Sequence, residues 1–338
     1  MAVTGQEKPN IRQVANLAGV SPMTVSRVLN DSPRVLPDTR ERVLAAISEL
    51  NYRPNSSARA LATQRTRRIG VLMDSVAEHG PTSTLRAIEY AARAAGYTVT
   101  SVSIRDDSQS PEESVGHLMD QGVDALCVVA PRSSSVSAVK RIDVGLPVLV
   151  VKTERDDAFL TVSVDQRLGT HLAVDHLANL GHQDILHLAG PLDWLDARTR
   201  ERAFHARAQS WGMRERPIVV GDWTADFGYE FAREITRMPE YTAIFAANDE
   251  MALGVIHGLV ENGIRVPQDV SVVGFDDLPS SRHFLPPLTT VRQDFHALGL
   301  AAMDVLQAAI EGRQIPQRTR IPAELVVRAS TAPPRDPR

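Results

Sequence analysis

The chain has 338 residues, enough for two or three domains, and its composition of 43% hydrophobic and 23% charged residues is typical of a soluble globular protein. It contains no run of about 18 apolar residues and begins with a short polar stretch, so we expect a cytoplasmic protein without a membrane helix or a secretory signal. Because Cys127 is the single cysteine, an internal disulfide and a cysteine metal cluster are excluded, and we expect neither a metal nor a cofactor.

The charge is distributed unevenly along the chain. The formal net charge is −4, but residues 1–68 carry a net charge of +6 and the rest of the chain carries −10. A basic segment of this size at one end is typical of nucleic-acid binding, although a solvated basic tail is an alternative. Helical patterning in the same segment favours a folded head.

Three short helices are predicted in this basic segment. The first begins after Asn10, a good N-cap, and ends at Gly19, a usual stop signal. The second is capped by Ser21 with Pro22 in its first helical position, and the third follows Pro37. Each helix carries an apolar stripe at helical spacing, formed by Val14 and Ala18, by Val25 and Val28, and by Val43 and Ala46.

Two helices of this length joined by a glycine turn are typical of the helix-turn-helix motif. In that motif the N-terminal residues of the second helix enter the major groove of DNA. Arg27 can donate two hydrogen bonds to guanine or bind a phosphate, and Pro22 and Met23 offer apolar contact to a thymine methyl group. A generic three-helix packing unit would show the same spacing, so the pattern alone leaves both interpretations open.

The residues of this head also resemble a known family. The stretches IRQVANLAGVSPMTVSRVLN (11–30) and LNYRPNSSARALA (50–62) are similar to the DNA-binding segment of the LacI/GalR family of bacterial repressors, and the resemblance covers nearly the whole chain. It implies that Pro22, Met23 and Arg27 contact bases, although the first two depart from the polar residues of some members. It implies backbone contacts for Ser21, Ser26, Asn30, Thr39 and Tyr52.

A short hinge follows the head. Residues 55–62 are predicted to form one helix capped by Asn55, with a plain linker as the alternative. Eight residues are too few to be helical alone in water, so we expect this helix to order against a partner or DNA. The family resemblance implies that two copies pair across a dimer axis, with Leu61 inserted into the minor groove and Ala58 beside it.

From Ile69 onward the pattern predicts an α/β body in two similar halves. Its apolar runs are typical of buried parallel strands, and two parallel sheets imply a cleft in which ligands bind beyond the carboxyl ends of the strands. Strands are predicted at 69–73, 99–103, 125–129 and 148–151, and then at 185–188, 218–220, 243–246 and 270–273. Helices are predicted at 84–95, 112–121, 169–180, 198–211, 229–236 and 251–262.

Polar side chains follow several of these strands. Asn248 and Asp276 each follow a strand, and Arg200 begins the helix after another. Such groups suit sugar hydroxyls, which both donate and accept hydrogen bonds, and Trp223 could stack on the apolar face of a sugar. Each has a structural alternative, since Asn248 could cap a helix, Asp276 could belong to a loop and Trp223 to the core.

The strings LAGP, ANDEMALG, VGFDDLP and PPLTTV resemble the effector-binding domain of the same family. The resemblance implies a bilobal fold like that of periplasmic binding proteins, with two parallel-sheet α/β subdomains, joined to an all-α helix-turn-helix domain. It implies that Arg200, Asn248 and Asp276 bind an effector sugar, with Trp223 and His79 as in the lactose-repressor-like branch. Lys152 stands where that branch has an aspartate in the pocket, and a cation there would alter or reject its ligand.

Together these observations predict a sequence-specific transcriptional repressor of sugar-utilisation genes. We expect a helix-turn-helix domain at 1–54, a hinge at 55–68, and an effector-binding and dimerisation domain at 69–338. The expected partners are double-stranded, pseudo-palindromic operator DNA and a small sugar, for which the resemblance suggests a galactoside. We expect a homodimer, because one recognition helix contacts only half of a two-fold site.

Two other classes of function are alternatives to a repressor. An exported sugar-binding protein could have the same body, but the basic head and the absence of a signal segment argue against it. An enzyme is disfavoured because the sequence lacks dinucleotide, Walker, serine-hydrolase and zinc-protease motifs. Asp276 and Asp277 are adjacent and are expected to point in different directions, unlike a glycosidase pair that flanks one bond.

Overall fold

The protein is described from a computed structural model, which covers residues 9–29, 32–53, 60, 65–73, 78–104, 110–129, 132–152, 156–235 and 240–335. The chain divides into two compact units, residues 1–66 and residues 67–338. The predictions for Asn30, Asn55, Ala58 and Leu61 lie outside the described residues.

The first unit contains the three predicted helices, which are α1 (Ile11–Ala18), α2 (Pro22–Leu29) and α3 (Pro37–Glu49). The side chain of Asn10 accepts a hydrogen bond from the backbone of Gln13, whose own side chain accepts one from the backbone of Asn10. Gly19 ends α1 with a φ of 64°, the left-handed conformation that glycine adopts at low cost. These local signals confirm the predicted ends of α1.

The three helices share a small apolar core. Its buried members are Val14, Ala15, Ala18, Val25, Val28, Val43 and Ala46. All come from the stripes at helical spacing, so the predicted inward faces are confirmed. The opposite side of α2 is left exposed.

The second unit begins with a lobe built on a parallel sheet. Lobe 1 contains β1 (Arg68–Met73), α4 (His79–Ala94), β2 (Thr98–Ser103), α5 (Pro111–Asp120), β3 (Ala125–Val129), α6 (Ser133–Lys140), β4 (Val148–Val151) and β5 (Leu160–Val164). Its strands lie in the order β11-β5-β4-β3-β1-β2, where β11 (Arg318–Ile321) returns from near the end of the chain. Every neighbouring pair in this sheet is parallel.

Lobe 2 repeats this plan. It contains α7 (Gln166–Asn179), β6 (Ile185–Ala189), α8 (Leu195–Ser210), β7 (Val219–Val220), α9 (Ala225–Arg233), β8 (Ala243–Ala246), α10 (Asp249–Glu261), β9 (Ser271–Asp276), a 3₁₀ turn (Ser281–His283), β10 (Thr289–Arg292) and β12 (Glu324–Val326). The strand order is β12-β10-β9-β8-β6-β7. The edge strand β12 runs antiparallel to β10, so this sheet departs from the fully parallel expectation at one edge.

The chain passes between the lobes three times: between β5 and α7, between β10 and α11 (Phe295–Glu311), and between β11 and β12. Helix α11 follows a strand of lobe 2 but packs against α4 of lobe 1, where Gly299 lies close to the backbone of Ala87. The two lobes are therefore joined by three chain crossings, and segments from late in the chain complete lobe 1. Among the described residues, no helix is long and apolar enough to cross a membrane.

Candidate functional site

A cavity lies between the two lobes of the second unit, at the carboxyl ends of both sheets. It encloses about 750 Å³ of space outside the protein atoms, counting the part open to solvent, which is within the range of small-molecule sites. Lobe 1 contributes Val129, Val151 and Ser163 from strand ends, and lobe 2 contributes Asp276. The position is the one expected for a ligand site in parallel α/β sheets.

Arg200 and Asp276 form the charged centre of the lobe 2 wall. The Arg200 guanidinium lies 3.8 Å from the Asp276 carboxylate and stacks 3.8 Å from the ring centre of Phe275. It also donates a hydrogen bond to the carbonyl oxygen of Ala247. Burial lowers the pKa of Arg200 and raises that of Asp276, while their mutual attraction opposes both shifts.

Two glutamines that the sequence analysis did not single out complete this centre. Arg200 Nε donates to Gln166 Oε1 at 2.9 Å, and Gln166 Nε2 donates to Gln293 Oε1 at 2.8 Å. Gln293 Nε2 then donates to Asp276 Oδ1 at 2.6 Å. Both glutamines are buried and lie where the chain crosses between the lobes. The four side chains form one ring that orients the Asp276 carboxylate. Within this ring, Arg200 can only donate hydrogen bonds and the ionised Asp276 can only accept them.

Asp276 is held in an unusual backbone conformation. Its φ is 113°, a region that side chains other than glycine rarely adopt, and such strain persists only where surrounding contacts hold it. The next residue, Asp277, turns the other way and accepts hydrogen bonds from Arg292 at 2.7 Å and Arg328 at 2.5 Å. The prediction that the two aspartates point in different directions is confirmed.

Asn248 and Trp223 form a second polar contact on lobe 2. Asn248 caps α10 by accepting a hydrogen bond from the backbone of Met251, and it donates one to the carbonyl oxygen of Trp223 at 2.9 Å. The Trp223 ring packs edge-on against Trp194 and over Gly190, where any side chain would meet the ring. Both residues line the cavity and also belong to the framework of lobe 2. A role in ligand binding and a role in stabilising the lobe are therefore compatible for each of them.

Lys152 lines the cavity but its charge is already paired. Its Nζ lies 2.5 Å from Asp156 Oδ2, and Lys140 Nζ lies 2.7 Å from the same oxygen. Burial alone would raise the pKa of Asp156, but hydrogen bonds from the two lysines lower it to about 2. Lys152 therefore shares the Asp156 carboxylate with Lys140, a pairing that no sequence motif indicates.

His79 begins α4 on the lobe 1 side of the cavity. Its ring packs edge-on against Phe295 at 5.6 Å, and its Nε2 lies 3.2 Å from Ser83 Oγ. His79, Lys152, Arg200, Trp223, Asn248 and Asp276, the six predicted effector residues, all line this one cavity.

A further carboxyl group, Asp249, supports the strand ends beneath the cavity. It accepts hydrogen bonds from Ser281 Oγ at 2.5 Å, from the backbone of Leu278 at 2.9 Å, and from Thr290. Burial and the nearby Asp276 raise its pKa to about 7. Asp249 joins the β8, β9 and β10 ends into one polar unit.

The predicted DNA-contacting residues of the first unit lie on α2, on α3 and next to their ends. Pro22, Met23 and Arg27 are exposed on this helix, and Met23 is 63% exposed despite being apolar. Ser21 caps the helix by accepting a hydrogen bond from the backbone of Thr24 at 3.2 Å. Ser26 and Thr39 are half-buried, and Tyr52 packs against the small core of the unit.

Two family descriptions match the chain. Residues 10–55 match the bacterial regulatory proteins of the lacI family, and residues 174–331 match a periplasmic binding protein-like domain. The first match covers the three-helix unit and the second covers most of lobe 2.

Curated relatives align along nearly the whole chain. The lactose operon repressor of Escherichia coli (strain K12) is 37% identical over 95% of this chain and 90% of its own length. The transcriptional repressor PurR of Haemophilus influenzae (strain Rd) is 34% identical over 95% of this chain and 98% of its own length. Both relatives are transcriptional regulators rather than enzymes.

Solved structures agree with these relatives. The lac repressor dimer bound to operator and the anti-inducer ONPF has a TM-score of 0.85 at 35% identity, covering 96% of this chain and all of the other. The complex of the transcriptional regulator CelR with cellobiose has a TM-score of 0.71 at 30% identity, covering 95% of this chain and 99% of the other. The predicted fold class is confirmed.

Proposed function

We propose that this chain, which belongs to the LacI family of bacterial DNA-binding transcriptional repressors, controls sugar-utilisation genes through a small sugar bound between its two lobes. The observation that carries this proposal is the ring of Arg200, Gln166, Gln293 and Asp276, which presents fixed polar groups to the cavity at the carboxyl ends of the strands. Oriented donors and acceptors beside tryptophan rings suit a polyhydroxylated ligand with one apolar face.

Operator recognition is assigned to α2. Pro22, Met23 and Arg27 are exposed at the N-terminal half and middle of this helix, as a helix that enters the major groove requires. Arg27 would contact guanine or phosphate, and the exposed Met23 would pack on a thymine methyl group. Ser21, Ser26, Asn30, Thr39 and Tyr52 would contact the DNA backbone, and Asn55, Ala58 and Leu61 would act in the hinge.

The proposed organisation places the helix-turn-helix domain at 1–54, the hinge at 55–68 and the effector domain at 69–338. We propose a cytoplasmic homodimer on a pseudo-palindromic operator, because a single recognition helix contacts half of a two-fold site. A lac repressor dimer bound to operator is among the similar structures and supports this assembly.

The proposed control works through the lobes. A ligand that contacts Arg200 or Asp276 also acts on Gln166 and Gln293, which lie at two of the crossings between the lobes. A sugar can change the relative position of the lobes only if it binds one arrangement more tightly than the other. The change in lobe position would then alter how two heads pair on DNA.

The sugar itself is proposed more narrowly as a galactoside or a related disaccharide. The similarity to the lactose operon repressor supports a galactoside, and the similarity to the CelR–cellobiose complex supports a disaccharide. The Asp156 carboxylate, which Lys152 shares with Lys140, weakens the attraction of Lys152 for an anion, and this supports a neutral ligand.

A thermal-shift panel with the full chain tests this proposal. The panel contains galactose, lactose, melibiose, glucose, cellobiose and maltose, and a sugar that binds only the folded state raises the melting temperature with its concentration. We expect at least one of these to bind and to change the affinity for a DNA duplex selected by the chain from random sequences. Absence of binding by every sugar, with DNA binding intact, would contradict the sugar proposal.

A further inference from the structure

Three residues that line the cavity each carry a buried polar atom with no hydrogen-bond partner among the described residues. The atoms are Ser163 Oγ, Glu78 Oε2 and Trp223 Nε1. Outside the cavity, the buried Ser330 Oγ donates to the carbonyl of Val272 at 2.6 Å, whereas Ser114 Oγ also lacks a partner. Since an unpaired buried polar group destabilises a fold, three of them in the wall of one cavity are candidates for pairing with a ligand.

The unpaired atoms are unevenly divided between the lobes. Ser163 is the penultimate residue of β5 and Glu78 precedes α4, so both belong to lobe 1. On lobe 2, the side chains of Arg200, Asn248 and Asp276 already have protein partners. Ser163 and Glu78 are therefore the groups on the lobe 1 wall that a ligand could pair.

The charges around the cavity are also unbalanced. The two strong cations are engaged, Lys152 with Asp156 and Arg200 with Asp276. Glu78, Asp196 and Glu250 add three more carboxylates to the wall. Burial raises the pKa of Glu250, and the neighbouring Asp276 and Glu78 raise it further, which places these like charges close together. A ligand carboxylate or phosphate would add to this repulsion, whereas a hydroxyl or an ammonium group would relieve it.

We propose that Glu78 and Ser163 are specificity-determining contacts that accept uncharged or amino sugars and exclude acidic ones. This inference rests on the proposed function of the cavity as a sugar site. The carboxylate of Glu78 accepts a hydrogen bond from a ligand hydroxyl or ammonium group, and the Trp223 indole donates one to a ligand oxygen. Ser163 can donate or accept, so it tolerates either group.

The role of Ser163 is tested first in the ligand-free chain. Ser163→Ala removes no protein hydrogen bond, so its melting temperature should equal or exceed that of the parent chain. Ser330→Ala is the matched control, because it removes a buried hydroxyl that also accepts a hydrogen bond from the backbone of Thr289 at 2.8 Å. This control should melt at a lower temperature. An equal fall for both variants would show that Ser163 has a structural role and would overturn its assignment.

The charge selectivity is tested with two matched series of monosaccharides by calorimetry. The probes are galactose, galactosamine and galacturonate, and glucose, glucosamine and glucuronate. In the series that binds, we expect the acidic member to bind at least about tenfold more weakly than the neutral one. Glu78→Gln should reduce this difference in affinity between neutral and acidic sugars. Glu89→Gln, on the exposed face of α4, should leave the difference unchanged.

The outcomes separate this inference from the function on which it rests. Equal binding of neutral and acidic sugars, or a difference that Glu78→Gln does not change, overturns the selectivity while the sugar site stands. Binding by neither neutral nor amino sugars, in either series or in the disaccharide panel, overturns the sugar site and the selectivity together.

Discussion

The two units of this chain place their proposed functional residues in opposite environments. In the three-helix unit, Pro22, Met23 and Arg27 are exposed and lie outside the small core. In the two-lobed unit, Arg200, Asn248 and Asp276 are each less than one tenth exposed and are joined to the framework by hydrogen bonds. We therefore expect substitutions on the exposed face of α2 to change DNA binding without loss of stability, whereas substitutions in the cavity should alter folding and ligand binding together.

The largest effect on stability is expected for Arg200→Ala. This change removes the buried cation that faces Asp276, and breaking such a pair costs about 3–5 kcal/mol of unfolding free energy because a buried charge is left unpaired. The folded fraction should still bind operator DNA but should not respond to sugar. Chemical denaturation checks the stability, with Arg202→Ala on the exposed face of the same helix as the control. Equal stability of the two variants would contradict the structural role of Arg200.

The next effect depends on pH and involves His187, which is stacked between Phe204 and Phe245 in the interior of lobe 2. Burial lowers the pKa of His187 from 6.5 to about 4. Above pH 6.5 this histidine is neutral in both the folded and the unfolded state. Below pH 6.5 it becomes protonated in the unfolded chain but stays neutral in the folded chain. The contribution of His187 to the unfolding free energy therefore falls by about 3 kcal/mol as the pH is lowered from 6.5 to 4.

The variant His187→Phe isolates this contribution, because phenylalanine fits between two aromatic rings and does not titrate. We expect its unfolding free energy to fall less steeply than that of the parent chain between pH 6.5 and 4. Subtraction of the two curves removes the opposite effect of Asp249, whose raised pKa makes the folded chain hold its proton longer. His117→Gln, on an exposed position, should give the parent slope, and a parallel curve for His187→Phe would show that this histidine is not excluded from water.

A smaller loss is expected for Asn248→Ala. The change removes the cap of α10, which costs about 1 kcal/mol, together with the hydrogen bond to the carbonyl oxygen of Trp223. Sugar affinity should fall because both residues line the cavity. Asn248→Ser keeps an uncharged capping oxygen and loses the amide donor, so it should recover most of the stability but not the sugar affinity. Recovery of both by Asn248→Ser would show that Asn248 acts only as a cap.

The smallest effect on stability is expected for Arg27→Ala, in the three-helix unit. Its side chain is exposed, so the unfolding free energy should change by no more than about 0.5 kcal/mol. Operator binding should nevertheless be lost, with sugar binding unchanged. Gel-shift and thermal-shift measurements on the same preparation check both parts. Loss of sugar binding as well would indicate misfolding rather than a lost DNA contact.

The two units also differ in how much of their structure could be predicted from the sequence. The ends of α1 follow from neighbouring residues, namely Asn10 and Gly19, so local pattern is enough. Strand β5 was not predicted, because Thr161 and Ser163 interrupt its apolar run although both are buried. Its partner β11 lies more than 150 residues away, and no local signal connects the two.

The same distinction applies to the cavity. Arg200, Asn248 and Asp276 could be singled out because each follows a predicted strand and matches a family string. Gln166 and Gln293 are 127 positions apart, and they meet only because the chain crosses twice between the lobes. The pairing of Lys152 with Asp156 likewise depends on side-chain placement outside any regular element.

The most direct test of ligand control is the operator affinity of the full chain with and without the sugar that gives the largest thermal shift. The parent chain should change its operator affinity as sugar is added. The folded fraction of Asp276→Ala should bind the same DNA with the parent affinity and show no change with sugar. A normal sugar response in Asp276→Ala would place the ligand outside the cavity between the lobes and would contradict the account.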